Sequence, residues 1–251
     1  TVSEMIERNK KRDVSSWKPL FFRLKDDDAA LKKLNGILSS REVFVVDDIE
    51  SQLSELIKSR NPKVKMSDHE VQKAVKERFG DAPSDAYGVW VYYPWSQRLV
   101  HLLDEEEFVE VRTNRNHYKI TPREHRILAT KKIGLVGLSV GQSVAVTMAM
   151  ERSFGELRLA DFDVLELTNL NRIRTGVHNL GISKTVAVAR EIMEIDPFLK
   201  LTVFSDGLTE ENMVRFFTEG GPLVLFIDEC DGLDLKVLGR WNAREMKIPV
   251  V

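Results

Sequence analysis

Lys132-Ile133-Gly134-Leu135-Val136-Gly137-Leu138-Ser139-Val140-Gly141 is the stretch that decides the fold. An apolar run enters a turn bounded by two glycines, and helical apolar spacing resumes directly after it, which reads as a strand passing through a glycine turn into a helix. Without side chains at Gly137 and Gly141, backbone N–H groups can approach a phosphate, and the helix N-terminus adds partial positive charge. The dinucleotide fingerprint G-x-G-x-x-G is not met, because Ser139 and Gln142 hold its second and third glycine positions. On the turn alone, a close-packed strand–helix crossing is as good an explanation as a phosphate cradle.

Outward from this turn the alternation is regular. Strands are predicted at 132–137, 156–161, 199–204, 222–228 and 247–251, with helices at about 140–153, 183–195, 209–218 and 232–245. Strands alternating with helices imply a Rossmann-like, mostly parallel α/β sheet covered on both faces, with ligands beyond the strand C-termini at the switch point. Asp161 closes the second strand 20 residues after Gly141, where an acid of this fold type meets ribose hydroxyls. Asp163 either joins it or, like Asp161, merely punctuates a strand end. Asn169, Arg172 and Lys184 follow. Arg172 offers a planar fork of donors and Lys184 a point charge, a pair suited to a triphosphate and not required by a nicotinamide cofactor.

In order and spacing, Leu159-Ala160-Asp161-Phe162-Asp163, then Leu167-Thr168-Asn169-Leu170-Asn171-Arg172, then Gly181-x-x-Lys184 and Asp228-x-x-Asp231 resemble the ThiF/MoeB family of ubiquitin-activating-type enzymes. The resemblance covers about 130–251. It implies ATP and Mg2+, with the ribose on Asp161, the phosphates on Asn169, Arg172 and Lys184, and the magnesium near Asp231. It further implies adenylation of a carboxylate, such as the C-terminus of a ubiquitin-like or sulfur-carrier protein, by a homodimer in which an arginine crosses to the neighbouring ATP. Arg115 is the candidate for that arginine and Arg112 the weaker one. The family's turn is Gly-x-Gly-Gly-x-Gly, so Ser139 and Val140 are departures that add side chains where phosphates pass. Ser139 is a candidate to donate its hydroxyl to a phosphate. Cys230 reads as buried strand material and not as a thioester nucleophile. Two other readings stand beside this one: a catalytically silent nucleotide-binding or scaffold domain, and an NAD(P)-binding oxidoreductase half.

The leading half, residues 1–128, reads as a smaller α+β domain ahead of a nucleotide-binding domain at 129–251, with the boundary near 112–130. Its fusion to the second half resembles a larger bacterial branch of the family. The first ten or so residues lack an apolar period and are expected to fray. Leu20–Leu24 and Glu42–Val46 are strand candidates, each followed by acid (Asp26-Asp27-Asp28, Asp47-Asp48) suited to a helix N-terminus. Ile49, Leu53, Leu56 and Ile57 fall on one helical face. Ser67…Glu70 and Thr121-Pro122-Arg123-Glu124 are capping boxes, and Val89–Tyr93 with Leu99–Leu103 form an aromatic hairpin.

Composition bounds the rest. In 251 residues, 37 basic and 39 acidic side chains are mixed, giving a net charge of -2 and no tract that advertises nucleic acid as a partner. One cysteine cannot form an internal disulfide, which suits the cytoplasm as the expected compartment. No apolar run reaches the roughly 18 residues a membrane span needs. The histidines (69, 101, 117, 125 and 178) show no metal-ligand spacing. Lys247–Val251 reads as a strand beginning where the sequence stops, so the expectation is a piece of a longer protein whose sheet is truncated here.

Overall fold

The computed structural model describes residues 1–9, 14–25, 27–116 and 118–251. Asp26 and His117 lie outside the described residues. Two compact units are present: one holds residues 18–120, the other residues 1–17 and 121–251.

In the first unit, β1 (Leu20–Phe22), β2 (Phe44–Asp47), β3 (Val89–Tyr93) and β4 (Arg98–Leu102) form a sheet of order β1-β3-β4-β2. The aromatic hairpin pairs antiparallel with Val91 opposite Val100, and β2 joins β4 in parallel. Helix α2 (Asp28–Ser40) starts at Asp27, whose carboxylate accepts from the Ala30 N–H at 2.9 Å. Its Leu34 packs on Phe22, Trp90, Tyr92 and Leu99. Helices α3 (Ile49–Arg60), α4 (Asp68–Phe79) and α5 (Glu105–Thr113) share a second cluster in which Ile49, Leu53 and Leu56 meet Val71, Val75 and Leu103. The Ser67–Glu70 box opens α4 as its sequence spacing requires.

In the second unit, β5 (Lys132–Val136), β6 (Glu156–Ala160), β7 (Lys200–Phe204) and β8 (Leu225–Asp228) form an all-parallel sheet of order β7-β6-β5-β8. The crossover helices are α7 (Gly141–Glu151), α8 (Lys184–Ile195) and α9 (Glu210–Thr218), with α10 (Leu233–Glu245) after β8 and α6 (Pro122–Leu128) ahead of β5. Helices cover both faces: α7 packs with α8, and α9 with α10. The α9/α10 side is aromatic, with Phe216 at 5.2 Å from Phe204 and Phe217 at 5.1 Å from Phe226, ring centre to ring centre. The chain reverses direction across the sheet between β5 and β8, and there Val136 lies beside Asp228.

Residues 247–251 pair beside β8 as expected: Val250 bridges Phe226 in parallel, Phe226 N–H donates to Pro249 O at 2.9 Å, and Val251 N–H donates to Phe226 O and Asp228 N–H to Val251 O, both at 3.0 Å. Two expectations are corrected. Residues Val2–Asn9 form helix α1 instead of fraying, because Thr1 caps it: its hydroxyl accepts from Glu4 N–H and its carbonyl from Met5 N–H. Cys230 lies past the end of β8 and is half-buried, not inside the strand.

Candidate functional site

The β5–α7 turn is locked from two sides. Gly137 has φ +84°, and a Cβ there would stand 2.5 Å from the carbonyl carbon of Glu229 and 2.7 Å from the Cys230 nitrogen. The turn after β5 is thereby seated directly on the segment that leads to Asp231. Gly141 has a different reason: its missing side chain leaves room for Leu135, whose Cδ2 would lie 2.6 Å from a Cβ. At this second glycine the close-packing explanation accounts for the residue.

Asp161 is buried just beyond β6 and reaches back to the turn. One oxygen accepts from Leu138 N–H at 2.6 Å and the other from Asp163 N–H at 2.8 Å. Each oxygen keeps lone-pair capacity for a further donor. Lys184 arrives by a short antiparallel pairing in which Val164 bridges Ser183, Leu165 N–H donates to Ile182 O, and Lys184 N–H donates to Asp163 O. At 4 % exposure, its ammonium bonds the Asp163 carboxylate at 2.6 Å and the Ser139 hydroxyl at 3.2 Å. Gly137, Ser139, Asp161, Asp163 and Lys184 therefore form one connected set at the mouth of the sheet.

Arg172 and Asn169 sit on the loop between Asp163 and Lys184 and do other work. The Asn169 side-chain oxygen accepts from Glu166 N–H at 2.9 Å, capping the single helical turn Leu167–Asn171. Arg172 is exposed, and its guanidinium stays on its own turn, donating to Asn171 Oδ1 at 3.0 Å. Asp231 is exposed at the foot of α10. Its neighbour Asp228 faces inward to Arg240 at 2.9 Å, Lys236 at 3.6 Å and the Cys230 thiol at 3.1 Å. Burial pushes the Asp228 carboxyl up, but those donors outweigh it and hold it below the usual range. The Cys230 thiol moves the other way: burial and the adjacent Asp228 carboxylate push it up to about 12.

Gln142 belongs to this site and carries no functional expectation from the sequence. It is buried and grips the loop like a second backbone: its oxygen accepts from Arg174 N–H at 2.8 Å, and its amide nitrogen donates to Arg174 O and to Glu191 Oε2, both at 2.7 Å. Burial raises the Glu191 carboxyl above the usual range while the Gln142 amide pulls it down. The signal in the sequence was its place where the fingerprint has a glycine.

The sequence and the fold are similar to those of known proteins. The chain is 43% identical over 162 residues to Uncharacterized protein MT1398 of Mycobacterium tuberculosis (strain CDC 1551 / Oshkosh), covering 64% of this chain and 22% of that one. It is 30% identical over 127 residues to the tRNA threonylcarbamoyladenosine dehydratase of Escherichia coli (strain K12), covering 50% of this chain and 47% of that enzyme. The crystal structure of the E. coli enzyme in complex with ATP matches at a TM-score of 0.53 with 25% identity, covering 59% of this chain and 60% of the other. Ubiquitin-like modifier-activating enzyme 5 of Gallus gallus is 26% identical over 124 residues, 46% of this chain and 31% of that protein. The chain thus spans less than half the length of these curated relatives. The sequence profile of the ThiF family matches residues 113–251, more than half of the sequence, and the chain belongs to that family.

Proposed function

We propose that this protein uses ATP to adenylate a carboxylate, with the C-terminus of a ubiquitin-like or sulfur-carrier protein as the acceptor class. The observation that carries the reading is the bonded set of Ser139, Asp161, Asp163 and Lys184 beside a glycine turn that no Cβ fits. ATP suits it: Asp161 has acceptor capacity for ribose hydroxyls, and Lys184, the N–H groups of the turn and the start of α7 supply positive charge for phosphates. The relative that shares this fold binds ATP.

In the proposed reaction an acceptor carboxylate oxygen attacks the α-phosphorus, the bond to the bridging oxygen breaks, and pyrophosphate leaves with the electron pair. Fixed cations lower such a barrier by stabilising charge on the phosphoryl oxygens, and no protein nucleophile is needed. Lys184 and Arg172 are assigned to those oxygens and Asp161 to the ribose. Asn169 acts through the loop, capping the turn that presents Arg172. Among the described residues no group of three or more His, Cys, Asp or Glu could hold a metal. The exposed Asp231 suits magnesium that arrives on the nucleotide, since that ion needs only one or two carboxylates besides phosphate. Bound there, the ion would neutralise phosphate charge. Two chains per active unit and a cytoplasmic location complete the proposal; no helix among the described residues is long and apolar enough to cross a membrane.

Exchange of labelled pyrophosphate into ATP, measured with ubiquitin-like proteins ending in Gly-Gly, tests the reading. Acceptor-dependent exchange is expected. ATP binding without exchange selects the silent-domain reading, and reduction of a nicotinamide cofactor selects the oxidoreductase one.

A further inference from the structure

Strand β2 is an edge of the leading sheet, and among the described residues no strand pairs with its outer side. Phe44 N–H donates inward to Gln97 O. By the alternation of a strand, Phe44 and Val46 turn their backbone groups to β4, while Val43, Val45 and Asp47 turn theirs outward. An open row of N–H and C=O groups is a template for another strand, and edges are ordinarily blunted by charge, proline or a bulge. Val43-Phe44-Val45-Val46 contains no charge and no proline. Its side chains are also uncovered: Phe44 is 67 % exposed, Val45 49 % and Val46 36 %. An exposed apolar edge of this kind is an association surface.

The charges at its two ends select the strand that fits. Arg41 stands at one end, with extended backbone (φ −144°, ψ 152°), so the usable edge runs from 41 to 47. Arg41 has no acid partner among the described residues. At the other end, Asp47 gives Oδ1 to His101 and to Ile49 N–H, which leaves Oδ2 for a cation. A parallel copy of the strand would set Arg41 beside Arg41 and Asp47 beside Asp47. An antiparallel copy sets each Arg41 across from an Asp47, the self-complementarity that a twofold interface requires.

We propose that two copies of this chain pair through β2, antiparallel and centred on Phe44, joining two four-stranded sheets into one. In this register outward groups meet outward groups. Val43 faces Val45 and Arg41 faces Asp47 as hydrogen-bonded pairs, and Phe44 meets its own copy at the axis, an aromatic cross-strand pair. Centring on Val45 instead would set Glu42 against Asp48, a like-charge pair. A slip of one residue would oppose outward groups to inward ones. The surface lies in the leading unit and shares no residue with the nucleotide site, so it stands apart from the adenylation reading.

Sedimentation of the full chain tests the pairing, and a monomer–dimer equilibrium in the range of about 1 to 300 μM is expected for an interface of this small size. Val45→Pro removes only an outward N–H, which an edge strand tolerates, and should weaken the dimer at least about tenfold through two lost hydrogen bonds. Phe44→Lys places two ammonium groups at the axis and should give a monomer with unchanged circular dichroism and ATP affinity. In a Cys230→Ser background, Phe44→Cys should cross-link to its own copy under mild oxidation, because facing residues of a non-hydrogen-bonded pair stand about 4.5 Å apart at Cα. Val46→Cys, which faces Glu42, should not. A chain monomeric throughout, a dimer that survives both Val45→Pro and Phe44→Lys, or cross-linking at 46 as fast as at 44 would overturn the proposal. A monomer whose Val45 and Asp47 amides resist hydrogen exchange would also overturn it, and would give the edge to another segment of the same polypeptide.

Discussion

Lys184 shows how much one side chain can settle. An ammonium at 4 % exposure needs an anion, and Asp163 supplies it at 2.6 Å while Ser139 adds a second acceptor. Ser139→Ala removes that acceptor and any hydroxyl donation to phosphate. ATP affinity measured by calorimetry should fall about three- to tenfold, the size of one neutral hydrogen bond, and an unchanged affinity would reject a phosphate role for Ser139. Cys230 permits a cleaner test, because it is the chain's one cysteine. With its thiol held near 12, the thiolate fraction at pH 8 is on the order of a thousandfold below that of an ordinary thiol. Iodoacetamide labelling followed by mass spectrometry should be correspondingly slow, and Asp228→Asn should speed it by removing the adjacent negative charge. Sequence alone named both Asp163 and Lys184. It did not show that they pair, because 21 residues separate them and a two-segment bridge, not a periodic pattern, joins them.

At the level of elements, α7 owes its place to two unlike constraints: glycines that let it approach β5, and Gln142, which ties its first turn to the loop carrying Arg172. Gln142→Ala leaves both backbone groups of Arg174 without that side chain. Hydrogen exchange at 172–180 should rise while the rest of the sheet keeps its protection, and KM for ATP should rise severalfold with a smaller change in kcat. The opposite end of the sheet holds a buried ionic network invisible to strand patterning. Arg158, fully buried, donates to Phe216 O and Gly221 O, and so caps α9 and its following loop; Glu156 binds Arg158, Thr202, Lys132 and Lys200 at the starts of three strands. Burial alone would raise the Glu156 carboxyl, but its donors, Lys200 first, bring it down to about 2. A folded pKa below the unfolded one gives stability that is full above about pH 4.5 and lost as pH falls towards 2. Thermal melts of Glu156→Gln should therefore show a large loss against the parent chain at pH 7 and a small one near pH 2.5.

Among the described residues each unit has hydrophobic clusters of its own, one drawn from residues 136–250 and two from residues 20–111. The fragment 18–120 is accordingly expected to fold alone, giving a cooperative melt and dispersed amide resonances; a molten fragment would count against an independent leading unit. The parallel sheet, its helices, the aromatic hairpin and both capping boxes were legible beforehand, because strand and helix periodicity and cap chemistry are local and repeat within a few residues. The same local information listed the chemical groups of the site. It left open what each group touches: that Asn169 caps its own turn, that Gln142 holds Arg174, and that Arg158 is buried. Those are contacts between segments distant in the chain, fixed by packing and by the obligation of buried polar atoms to find partners, and only the folded arrangement determines which partner each one finds.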